Sequence, residues 1–177
     1  MKFIVGLIFA VVSIAPATQN RWVEMDADDY ASHARFIEYS GLFTSTNGED
    51  VKFSFNVSAV RTTNAAIPSQ AGGLPANLQY GSNDRRPEVL QDVIVAMELR
   101  VGEDAVRIPK AAYVGLLNPL LPATLEVLRR RVGIVVAFDG GRGEKHYSCR
   151  FVFSQNKLLF RQIRDREDGP VQVLQFN

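Results

Sequence analysis

The sequence contains a single cysteine, Cys149, among its 177 residues. One thiol has no partner within its own chain, so an intramolecular disulfide is excluded. A chain of this length buries about two-thirds of its unfolded surface, and we therefore expect its stability to come from packing. Cys149 lies between Tyr147 and Phe151 in an alternating row, which predicts a buried apolar side chain rather than a reactive thiol.

Histidine is almost as scarce, with only His33 and His146. They are far apart and give no pair of ligands at metal spacing. Ser148 follows His146 by two residues, but side chains at i and i+2 of a strand point in parallel, and no Gly-x-Ser-x-Gly motif exists. We predict no catalytic residue, no metal site and no cofactor. Whether the chain is an enzyme stays open, because a hydrolase can draw its carboxylates from separate strands.

The chain also lacks an excess of charge, with 20 basic and 19 acidic residues. A nucleic-acid-binding domain needs positive charge gathered on one face, so we expect no nucleic-acid partner. Only Arg129-Arg130-Arg131 forms a basic run without acids. Such a short run is typical of a solvated strand end or turn.

No apolar run reaches the length of about 20 residues that a membrane-spanning helix needs. The longest begins after Met1 and Lys2, covers residues 3–14, and is followed by Ala15-Pro16-Ala17. This arrangement is typical of a signal peptide cleaved after Ala17. We therefore predict an exported protein, periplasmic or extracellular, with residues 18–177 as a single domain and no membrane insertion after signal cleavage.

Alternation of apolar and polar residues is the dominant pattern, and it predicts strands. Residues 51–59 and 93–101 show it most clearly. We predict an α+β fold that is predominantly antiparallel β: a meander-type sheet of seven to nine strands, as a sandwich or a half-barrel, with one short helix. The residues 125–129 also fit a helix. The predicted strands are 35–43, 51–59, 93–101, 105–108, 125–129, 133–138, 145–153, 158–164 and 171–176.

The predicted helix begins at Pro109, which suits a first helical turn because proline has no N–H to lose there. Apolar residues then recur at helical spacing until Asn118-Pro119 stops the run. They are Ala112, Tyr113, Leu116 and Leu117. We expect this apolar stripe to pack on the sheet.

A connection without periodicity, residues 62–91, separates two predicted strands. Connections longer than about 15 residues are uncommon and are binding loops, lids or disordered segments. Aromatic and arginine side chains often anchor contacts, so Tyr80, Arg85 and Arg86 are the predicted binding residues.

The sequence favours an exported, non-catalytic binding or accessory domain of the cell envelope or secreted fraction. Its partner is a protein or a small ligand. The alternatives are an exported hydrolase that uses carboxylates and an inhibitor or immunity-type protein. Because edge strands can pair between chains, a homodimer is a further prediction.

Overall fold

The computed structural model describes residues 20–25, 34–44, 50–64, 67, 80–82, 84, 86–130, 133–154 and 157–176. The predicted signal peptide, residues 1–17, lies outside these residues, as do His33 and Arg85. The predictions that rest on them stay predictions. Among the described residues, no helix has the length and hydropathy of a membrane span.

The first sheet is built from the N-terminal strands in the order β1-β2-β3-β4-β5, and every neighbouring pair is antiparallel. The strand β3 follows the predicted alternation, because every second residue from Phe53 to Ala59 is buried. In β4 the predicted alternation is wrong at its start: Ile94 is 3% and Val95 44% exposed, beside a register shift between Ser58 and Ala59 of β3. The strand bounds are Asn20–Met25 (β1), Ala34–Thr44 (β2), Asp50–Thr63 (β3), Leu90–Val101 (β4) and Asp104–Arg107 (β5).

The second sheet contains the C-terminal strands in the order β10-β9-β8-β7-β6, again with antiparallel neighbours. Each sheet is therefore a meander, and the prediction of a predominantly antiparallel β fold is confirmed. The strand bounds are Glu126–Arg130 (β6), Gly133–Gly140 (β7), Tyr147–Ser154 (β8), Lys157–Asp165 (β9) and Val171–Gln175 (β10).

Three strands differ from the sequence prediction. The strand β1 was not predicted, because its sequence NRWVEM shows no clear alternation; pairing with β2 places it in the sheet. The strands β3 and β4 extend into the segment predicted as a loop, so the connection runs over residues 64–89. The predicted strand at 125–129, where a helix also fitted, is confirmed as a strand with the bounds Glu126–Arg130.

The predicted helix is reduced to one 3₁₀ turn, Lys110–Ala112. Gly115 has φ 86° and Asn118 has φ 52°, both in the left-handed region that no right-handed helix contains. Leu116 and Leu117 instead form β-bridges to Tyr80 and Val93. The four apolar residues are still buried. The spacing therefore identified core residues correctly, but the helix predicted from it is wrong.

One hydrophobic core receives side chains from both sheets. Phe55 and Leu99 of the first sheet and Val136 and Phe151 of the second belong to the same cluster, and all are fully buried. Cys149 is 1% exposed, which confirms its prediction as a buried apolar side chain. Burial raises the pKa of the Cys149 thiol, so the thiol stays protonated at neutral pH.

Candidate functional site

A half-open apolar cavity of about 200 Å³ lies where strands of the two sheets meet at one end of the molecule. We call it the end cavity. Its described lining comes from both sheets and consists mainly of aliphatic and aromatic side chains. The lining residues are Phe43, Val51, Leu99, Val101, Val106, Arg129, Gly133, Ile134, Phe153 and Ser154.

The first sheet supplies one wall of the end cavity through paired residues on adjacent strands. Phe43 faces Val51 across β2 and β3, and Leu99 faces Val106 across β4 and β5. The Phe43 ring stacks on Phe53 with ring centroids 4.3 Å apart. Because side chains alternate along a strand, Leu99 and Val101 line the cavity while Arg100 between them is exposed.

The second sheet supplies the rest of the described lining. Arg129 pairs with Ile134 across β6 and β7, and Ile134 pairs with Phe153 across β7 and β8. Gly133 begins β7 at φ 131°, and a Cβ there would lie 1.8 Å from the Phe153 carbonyl oxygen. Only glycine therefore allows the backbone to approach β8 this closely at the rim of the cavity.

Polar groups are few in this lining. Arg129 is the only charged side chain among the described lining residues, and Ser154 supplies the only hydroxyl. Arg129 is exposed and makes no ion pair within the described part of the chain. The described lining contains no carboxylate, so the end cavity does not offer the pair of acids that a carboxylate hydrolase needs.

Arg129 was predicted only as part of a solvated strand end. It is exposed, as that prediction implies. The run of three arginines does not indicate that a cavity lies beside it. The cavity depends on the pairing of β6 with β7 and on the meeting of the two sheets, which are long-range relationships. The sequence pattern therefore missed this site.

The structure separates the predicted binding residues. Tyr80 is 5% exposed within the core, and its hydroxyl donates a hydrogen bond to Gln172 Oε1 on β10. Arg86 is exposed on the surface, and Arg85 lies outside the described residues. Tyr80 and Arg86 therefore do not form one contact surface, and the role of the connection in binding stays a prediction.

Arg86 is engaged by its neighbour Asp84. The guanidinium donates from Nη2 to Asp84 Oδ2 at 2.6 Å and from Nε to Oδ1 at 3.0 Å. The backbone N–H of Arg86 adds a bond to Oδ1 at 3.1 Å. These bonds favour the charged carboxylate and lower the pKa of Asp84 to about 2.

A second positive group, Arg161, is buried rather than open to a ligand. It is 5% exposed, and its Nη1 donates to the Ala112 carbonyl at 2.9 Å. Burial lowers the pKa of Arg161, because desolvation disfavours the cation. Arg161 joins β9 to the 3₁₀ turn, which is a structural role.

The histidine His146 lies next to an acid but in a solvated position. Its Nε2 is 3.7 Å from Asp139 Oδ2, with His146 47% and Asp139 37% exposed. Within the described ranges, no group of three or more His, Cys, Asp or Glu residues is placed to hold a metal ion.

Comparison with protein-family models, with curated protein sequences and with solved structures gave no match to this chain. The end cavity is the feature that combines space, an apolar lining and a single charge.

Proposed function

We propose that this chain is an exported, non-catalytic binding domain that holds a small apolar ligand in the end cavity. The observation that carries the proposal is the cavity of about 200 Å³ lined by apolar side chains of both sheets. Protein interiors are otherwise packed as densely as organic crystals. A gap of this size among side chains of the two sheets leaves its lining atoms without contacts that a ligand would restore.

The volume sets the size of the ligand. An apolar cavity of about 150 Å³ is enough to hold benzene. The end cavity therefore suits a ligand of roughly six to ten non-hydrogen atoms. Each atom of such a ligand contributes at most about 1.5 kcal/mol, so a six-atom ligand gains at most about 9 kcal/mol, a dissociation constant of roughly 0.3 μM.

The arrangement of the sheets is part of the same proposal. We place the two meanders face to face as a β-sandwich with five strands in each sheet. Support comes from the shared core and from the cavity wall, to which both sheets contribute. A sandwich that closes incompletely at one end leaves an opening of this kind.

Export and a role for the 64–89 connection belong to the proposal on sequence grounds. The apolar run of residues 3–14 before Ala17 supports export. A protein partner at Arg86 would contact the opposite end of the first sheet, because Asn64 Nδ2, directly after β3, donates to the Arg86 carbonyl. The residues Asp92 and Val101 of β4 lie about 30 Å apart at the rise of a strand, so the two sites would act independently.

Binding of toluene, followed by NMR of methyl-labelled valine, leucine and isoleucine, tests the proposal. We expect saturable shifts of the methyl signals of Val101, Val106 and Ile134, which line the cavity. The methyl groups of Leu116 serve as an internal reference, because Leu116 is fully buried outside that lining.

A pair of matched variants locates the site. Val106→Phe places a ring in the end cavity and should abolish toluene binding, whereas Val173→Phe makes the same change at a side chain that is 53% exposed. Unchanged binding in Val106→Phe, or no saturable shift in the unsubstituted protein, would overturn the proposal. The thermal unfolding midpoint of each variant shows that it is folded.

A further inference from the structure

We propose that the ligand of the end cavity is a small monocarboxylate whose apolar tail fills the cavity and whose carboxylate pairs with Arg129. This inference rests on the proposed function and adds the chemical class of the ligand. It is carried by the position of the one charged side chain among the described lining residues.

The placement of Arg129 defines the polarity of the site. Arg129 is exposed, while Phe43, Leu99 and Phe153 in the same lining are 2%, 0% and 2% exposed. The cavity is therefore apolar at its inner end and positively charged at its mouth. A ligand that matches both has an apolar body and a negative group that remains near water.

Charge complementarity selects an anion over a neutral or cationic head. Arg129 makes no ion pair within the described residues, so its guanidinium is available to an incoming group. The planar guanidinium binds a carboxylate through two parallel N–H donors. The adjacent Arg130 faces the other side of β6, because neighbouring side chains of a strand alternate. One guanidinium balances one negative charge, which favours a carboxylate over a phosphate dianion.

A hydroxyl near the same rim offers a second polar contact. Ser154 lines the cavity, and its Cα lies 3.3 Å from the position that a Cβ on Gly133 would occupy. Ser154 therefore lies beside Gly133, the first residue of β7, in the same lining as Arg129. A carboxylate oxygen accepts a hydrogen bond from a hydroxyl as well as from a guanidinium.

The volume fixes the length of the tail. Hexanoate has eight non-hydrogen atoms, within the range of roughly six to ten that the cavity accommodates. Hexan-1-ol and hexylamine have the same number of carbon atoms with a neutral and a positive head. These three compounds separate the effect of the tail from that of the charge.

The test is a titration of the full chain with hexanoate, hexan-1-ol and hexylamine at pH 7, read from the cavity methyl signals. We expect hexanoate to bind about fivefold more tightly than hexan-1-ol, the size of an exposed ion pair, and hexylamine to bind most weakly. Arg129→Gln should remove the advantage of hexanoate and leave hexan-1-ol unchanged. Added salt at 1 M should reduce that advantage, because the Debye length falls to about 3 Å.

Arg130→Gln is the matched control, because it removes the same charge from the next residue on the other face of β6. We expect it to preserve the preference for hexanoate. Equal binding of hexanoate and hexan-1-ol would overturn the carboxylate inference while the proposed function stands. Equal losses in the Arg129→Gln and Arg130→Gln variants would also overturn it, because a long-range field rather than a contact would then be responsible. Absence of binding by all three compounds would overturn both proposals.

Discussion

Asn118 Nδ2 donates a hydrogen bond to Gln91 Oε1 at 2.5 Å, and the two residues are only 4% and 1% exposed. Asn118 Oδ1 accepts from the backbone N–H of Asp92 at 3.1 Å. Gln91 Nε2 donates to Ser82 Oγ at 2.8 Å, and Asn118 Nδ2 also reaches the Gly81 carbonyl. These bonds tie residues 80–82 and the segment around Asn118 to β4, so the end of the long connection is fixed to the sheet.

Replacing Asn118 should lower the free energy of unfolding by more than an average substitution does. Asn118→Ala leaves Gln91 Oε1 and the Asp92 N–H without their partner, at about 1–3 kcal/mol. It also places alanine at φ 52°, at a cost of roughly 1–2 kcal/mol. We expect the free energy of unfolding to fall by about 3 kcal/mol in urea denaturation. Asn118→Gly relieves the backbone strain and should lose less; a loss below about 1 kcal/mol in Asn118→Ala would contradict this account.

Two tyrosines in contact differ in how their hydroxyls are satisfied. The rings of Tyr80 and Tyr147 have centroids 6.2 Å apart. The Tyr80 hydroxyl donates to Gln172, whereas the buried Tyr147 hydroxyl has no hydrogen-bond partner among the described residues. Tyr80→Phe should therefore lower the free energy of unfolding by about 1 kcal/mol, while Tyr147→Phe should raise it by a similar amount. Each variant is the control for the other. A lower free energy of unfolding in both would show that the Tyr147 hydroxyl is hydrogen-bonded in solution.

Because the Tyr147 hydroxyl is buried, we expect the protein to lose stability at alkaline pH. Burial raises the pKa of Tyr147 well above its ordinary value of 10.0, because desolvation disfavours the phenolate. The folded state thus holds this proton more tightly than the unfolded state. The resulting stabilisation is complete below pH 10 and is lost as the pH rises above it. Urea midpoints between pH 9 and pH 11 should fall less steeply in Tyr147→Phe; parallel slopes in both proteins would argue against it.

Much of the sheet structure follows from local pattern. The alternation in residues 51–59 and 93–101 located β3 and β4, because one buried face imposes a period of two on a strand. The 3₁₀ turn shows where the pattern fails. Leu116 and Leu117 would be buried in a helix, and they are also buried in the irregular segment that the structure has. The difference comes from their β-bridges to Tyr80 and Val93, which are distant in the sequence.

The end cavity could not be predicted from any single segment of the sequence. Its walls come from seven strands, β2 to β8. Arg129 differs from Arg130 only in the face of β6 that it occupies. That face is fixed by the register of Arg129 with Ile134, so composition and charge runs cannot distinguish the two residues.

The ion pair of Asp84 and Arg86 gives a titration that NMR can follow directly. The bonds from Arg86 lower the pKa of Asp84 from 3.8 to about 2. The folded carboxyl therefore loses its proton at lower pH than the unfolded one. The contribution of the pair is present above pH 3.8 and is lost as the pH falls through 2. We expect the ¹³C carboxyl signal of Asp84 to titrate with a midpoint near 2.

Arg86→Gln should raise that midpoint toward 3.8 without fully reaching it, because the backbone N–H of residue 86 still donates to Oδ1. Arg100→Gln is the matched control: Arg100 pairs with Glu98 at the same spacing of two residues, away from Asp84. A midpoint near 3.8 in the unsubstituted protein would mean that Arg86 is free in solution. In that case a protein partner could bind Arg86 without breaking its hydrogen bonds to Asp84.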